Sequence, residues 1–136
     1  MTDVARSSTP TVTRDRVGAG LLYLAAAGAL FSAVSAISVV ADATTAERSV
    51  ETWRLVGYVL FAGLFVLLAR APRQLRGLFE LAIATKIALP ICGATFLAGS
   101  KDATTFVVAD GALVLIITAA YVCVAGWTAT PASRTR

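Results

Sequence analysis

Four long apolar runs, separated by three short polar connections, dominate the chain. The runs are VGAGLLYLAAAGALFSAVSAISVVA near Val17–Ala41, TWRLVGYVLFAGLFVLLA near Thr52–Ala69, GLFELAIATKIALPICGATFLA near Gly77–Ala98 and TTFVVADGALVLIITAAYVCVAGW near Thr104–Trp127. Each is close to the roughly 20 residues with which a helix crosses the hydrocarbon of a bilayer. The connections ADATTAERSVE, RAPRQLR and GSKD are too short to let successive helices be anything but antiparallel neighbours. The pattern predicts an all-α integral membrane protein, an up-down-up-down four-helix bundle over residues 17–127. The flanking segments 1–16 and 128–136 have little to bury and are expected to be disordered tails. Ala41-Asp42-Ala43 imitates a signal-peptide cleavage site, but the apolar run before it is longer than the ~7–15 residues of a signal core, so a first membrane span is expected.

Composition agrees with this pattern. Of 136 residues 57% are hydrophobic and only 15% charged, with mean hydropathy +0.78. A soluble domain carries about a quarter charged residues, so this surface is suited to lipid. The net charge of +4 is explained by where the arginines lie, without nucleic acid. Arg6, Arg14 and Arg16 precede the first run, Arg70, Arg73 and Arg76 fill the second connection, and Arg134 and Arg136 close the chain. The opposite side has only Arg48, Arg54 and Lys101. Basic residues stay on the cytoplasmic side, so both termini are expected inside the cell, in a multi-pass protein of the inner (plasma) membrane. Trp53 and Trp127 then fall at the two membrane interfaces.

The chain has no histidine, which removes His-ligated haem, the commonest metal ligand and any histidine-based catalytic relay. No cofactor or metal is expected. Cys92 and Cys123 lie about 15 Å apart in depth, too far for a disulfide.

Candidate chemistry comes from the ionisable residues inside the runs. A charge at the bilayer centre costs at least ~2.5–3.5 kcal/mol, so each needs a partner or a wet cavity. At about 1.5 Å per residue, Lys86 lies near the middle of the third run and Asp110 about 9 Å into the fourth, from the other side. These two are expected to pair. Glu80, near the cytoplasmic headgroups, is expected to meet Arg70, Arg73 or Arg76. Pro90 deprives the Lys86 carbonyl of its helical hydrogen bond and should kink the third helix there. Ser35, Tyr58 and Thr95 lie at similar or shallower depth. Together they predict an outward-opening polar pocket, with Asp110 as acid or base, Lys86 as polarising cation, Ser35, Tyr58 and Thr95 lining it, and Arg54 at its mouth. Gly28, Ser32 and Ser35, with Gly57, Gly63, Gly93 and Gly111, are expected to form small-residue packing seams.

In length, four-span plan and the Arg-x-x-Gly opening of its second run (Arg54, Gly57), the chain resembles the DoxX-like group of small bacterial membrane proteins over most of residues 17–127. The resemblance implies quinone-linked or oxidative-stress chemistry, without a catalytic motif to carry over. The Cys-x-x-Cys of thiol–quinone enzymes and the first-helix glutamate of small multidrug exporters are both missing. Three functions remain open. One is binding or transformation of a lipophilic small molecule such as a quinone, terpenoid or polyketide. The second is a non-catalytic accessory subunit meeting a membrane partner or its own copy, and the third a proton-coupled transporter acting as a dimer.

Overall fold

The computed structural model describes residues 12–96 and 101–125, which form four α-helices and, among themselves, no strand. They are α1 (Val12–Asp42), α2 (Arg48–Arg70), α3 (Arg76–Phe96) and α4 (Lys101–Cys123). Three of them, α1, α2 and α3 from Gly77, are long and apolar enough to cross a membrane. In α4 the apolar stretch is the shorter Val107–Cys123, about 25 Å at 1.5 Å per residue.

Several helix boundaries differ from expectation, among them the start of α2 at Arg48, within the expected ADATTAERSVE connection. Helix α1 begins at Val12, inside the segment expected to be a disordered tail. Asp15 lies in its first turn, where a carboxylate is favoured by the helix dipole, and accepts a 2.6 Å hydrogen bond from Arg73. Arg14 reaches the Val122 carbonyl at 3.3 Å. These contacts give residues 12–16 a reason to be ordered that composition does not show. Helix α4 starts at Lys101, within the expected GSKD connection, and ends at Cys123. A turn follows at Val124 and Ala125, where Ala125 takes a left-handed backbone (φ 49°) and its N–H bonds the Val122 carbonyl. The expected tails before Val12 and after Ala125, with Leu97, Ala98 and Trp127, lie outside the described residues.

Helix α1 packs on α2 and on α4, and α3 packs on α4. The contacts Asp15–Arg73, Arg14–Val122 and Gly18–Val124 gather the start of α1, the turn after α2 and the end of α4 at one end, called here the terminal end. The α1–α2 connection marks the other, the loop end.

The buried face of α1 is Gly18, Leu22, Ala25, Ala26, Ala29, Ala33 and Ala36, a stripe at three- and four-residue spacing. Small side chains let helix backbones approach closely where lipid removes the usual hydrophobic drive to associate. The tightest approach is at Gly18, where an added Cβ would stand 2.5 Å from Val124 Cγ1 and 3.1 Å from the Ala120 carbonyl oxygen. Four of the five glycines expected to form seams do otherwise: a Cβ at Gly28, Gly57, Gly63 or Gly111 would meet nothing within 4 Å, while Gly93 is buried. Leu22, Phe65, Leu68, Phe79, Ile117 and Val124 are the largest fully buried side chains. Outside this core the helices expose leucine, isoleucine, valine and phenylalanine on every element, among them Phe31, Leu60, Leu81 and Leu115.

Candidate functional site

Lys86 stands about midway along α3 and Asp110 in the first half of α4. Because the two helices pack antiparallel, their side chains meet: Lys86 Nζ donates to Asp110 Oδ1 at 2.7 Å. The side chains are only 5% and 11% exposed, so the charges answer each other away from solvent. Phe61 of α2 closes the site from above, with its ring centroid 4.2 Å from Nζ. An ammonium over a ring face gains a further electrostatic attraction, which grows when water is excluded. No buried side-chain polar atom among the described residues lacks a hydrogen-bond partner.

Pro90 lies inside α3, which remains helical from Arg76 to Phe96. Proline has no N–H for the carbonyl four residues earlier, that of Lys86. The weakened backbone step and the charged side chain thus share one turn.

The expected single pocket divides into two places. Ser35, Arg54 and Tyr58 come together in a groove of ≈ 230 Å³ between α1 and α2 near the loop end, which Phe31, Ser32, Ala36, Val39 and Glu51 also line. Lys86 and Asp110 do not line it. Thr95 stays on its own helix, where its hydroxyl donates to the Ile91 and Cys92 carbonyls at 2.8 and 3.3 Å. The physical reason is angular. Depth along a helix follows from residue number, but which neighbour a side chain faces depends on a rotation that depth does not give. A second concavity, ≈ 390 Å³, lies along the exposed face of α2 at Arg48, Ser49, Thr52, Trp53 and Val56.

Within the groove, Arg54 Nη1 donates to Glu51 Oε2 at 3.1 Å, and the two side chains are 28% and 16% exposed. The Ser32 hydroxyl bonds back to the Gly28 carbonyl. Ser35 presents its hydroxyl without a protein partner among the described residues. Glu51 and Phe61 are the functional-site neighbours that the sequence reading missed. An acid three residues before Arg54 was a visible signal for the first, and an aromatic at the depth of Lys86 for the second.

At the terminal end Tyr121 donates to Glu80 Oε1 at 3.0 Å and sets its ring edge-on to Phe79, centroids 5.1 Å apart. Arg73, an expected partner of Glu80, is held by Asp15 instead. Cys92 and Cys123 are both free. Among the described residues no cluster of three acidic, cysteine or histidine side chains could hold a metal.

No family model, curated protein or solved structure matches the chain. The site therefore has to be read from its own geometry.

Proposed function

We propose that the chain is a small integral membrane protein that spans the bilayer four times as an up-down-up-down bundle and binds a lipophilic small molecule entering sideways from the lipid. The observation that carries this reading is the α1–α2 groove. It combines an ion pair, three hydroxyl-bearing residues and the apolar walls Phe31, Ala36 and Val39 on helices that expose many further large apolar side chains. Apolar walls with a few convergent polar groups are the usual make-up of a small-molecule site. The arginine distribution supports termini on the cytoplasmic side of a bacterial inner membrane, and the DoxX-like resemblance agrees with a lipophilic ligand.

In this reading Lys86 and Asp110 hold α3 against α4 and do not touch the ligand. Mass spectrometry of small molecules co-extracted with the detergent-solubilised protein tests the assignment. A ligand retained by wild type and by Lys86→Met/Asp110→Leu, but lost from Ser35→Leu/Tyr58→Leu, is the expected result. Loss from the Lys86→Met/Asp110→Leu variant alone would move the site to the buried pair.

A second reading, a non-catalytic accessory subunit, is favoured by the mutual satisfaction of Lys86 and Asp110. No ligand in any of these proteins, with equal thermal stability, would leave that reading in place.

A further inference from the structure

We propose that the α1–α2 groove takes the headgroup of a zwitterionic phospholipid with a primary ammonium, phosphate on Arg54 and ammonium on Glu51. This rests on the membrane-spanning reading above and names the ligand class of the same groove.

The first argument is the order of the lining residues along the helix axis. At about 1.5 Å per residue, Glu51 lies ~5 Å and Arg54 ~9 Å from the start of α2, while Tyr58 lies ~15 Å in. On α1, Ser35 lies ~10 Å from the end of the helix and Phe31 ~17 Å. Both charges therefore lie within ~9 Å of the loop end, beside the apolar Val39 and Ala36, and the deepest lining residue is Phe31, 74% exposed toward the surroundings. A bilayer phospholipid likewise carries its charged head outermost and its hydrocarbon deepest.

The second argument is charge. The described lining residues include one cation and one anion in contact at 3.1 Å, which together carry no net charge. An anionic head would meet Glu51 as well as Arg54, and like charges in a partly buried site repel. A phosphate–ammonium dipole set antiparallel to the Arg54–Glu51 dipole satisfies both ends. A guanidinium has five N–H donors and a carboxylate about four acceptor positions, so each has more capacity than the one bond between them uses. The carboxylate also separates primary ammonium from quaternary, since only the former has N–H to donate. The Ser35 hydroxyl, without a protein partner among the described residues, lines the same groove at about the depth of Arg54.

Native mass spectrometry can test this with the full chain, delipidated and returned to nanodiscs of phosphatidylethanolamine, phosphatidylcholine or phosphatidylglycerol of identical acyl chains. One phosphatidylethanolamine should be retained over either other lipid by roughly tenfold, the value of one added hydrogen bond between charged groups. Glu51→Gln should lower that lipid to the phosphatidylcholine level, and Ser35→Leu should diminish all three by filling the groove. Free phosphoethanolamine, which has the head without the chains, should not compete at millimolar concentration. Equal retention of phosphatidylglycerol, or unchanged preference in Glu51→Gln, would overturn the headgroup assignment. If a non-phospholipid molecule is retained instead and is lost from Ser35→Leu, the headgroup assignment falls while the lipophile-binding reading stands. No adduct of any kind in the wild type would overturn both.

Discussion

From Gly18 to Ala26, α1 looks onto an interior filled by Phe65, Leu68, Phe79, Ile117 and Val124; from Ala29 to Ala36 it buries alanine alone. Every one of the largest fully buried side chains lies on the terminal side of the Lys86–Asp110 pair. The terminal half is thus held by close apolar packing. The middle and the loop half are held by alanine contacts, one buried ion pair and the groove beside Ser35. In the proposed bilayer setting, apolar packing gains van der Waals contact but little from leaving water. A buried ion pair is far more sensitive to the loss of one partner than to the loss of both. The two halves should therefore respond to substitution in different ways.

The largest effect is expected at the pair. Asp110→Leu leaves the Lys86 ammonium buried beneath Phe61 without its counter-ion, and should cost about 3–5 kcal/mol. Lys86→Met added to it should restore most of that loss, because a matched apolar pair carries no unpaired charge. Reversible unfolding in mixed detergent micelles measures both. A single variant as stable as the double would end the distinction between the halves. Phe65→Ala probes the terminal half. Its cost should be on the order of 2 kcal/mol, since the cavity term remains while the transfer term falls away in lipid. No second substitution elsewhere should rescue it.

Glycine sharpens the contrast at smaller scale. Gly18→Ala forces Val124 or the α4 backbone to shift and should destabilise by roughly 1–2 kcal/mol. Gly28→Ala and Gly63→Ala meet open space and should be neutral or stabilise by a few tenths of a kcal/mol, as alanine replaces glycine in a helix. If Gly28→Ala proved more damaging than Gly18→Ala in the same unfolding series, α1 would be packing through its other face.

What could be read beforehand follows from the same physics. Helix number and approximate helix bounds were legible, because some 20 apolar residues between polar connections admit few other arrangements. The meeting of Lys86 with Asp110 was also legible, since both depth and charge point to it. The rotation of each helix was not. Helices apolar all round have no polar face to show which side is buried, so Gly28 and Gly57 looked as suitable for a seam as Gly18. For the same reason Ser35 and Tyr58 were expected beside Lys86, whereas they share a groove with Arg54 between a different pair of helices. The start of α1 at Val12 depends on Arg73, far along the chain, and local composition cannot reveal such a contact.

The contact of Gly18 with Val124 joins the first helix to the residue just after the last. A chain emerging from the ribosome at ~5–20 residues per second therefore makes α1 many residues before the surface that covers this part of its stripe. Until α4 arrives, Gly18, with no side chain of its own, presents bare backbone, and among the described helices α2 is the neighbour already synthesised against which α1 mainly packs. Among the described residues the terminal end is accordingly late to close, and its assembly reports whether synthesis has run to the end of α4.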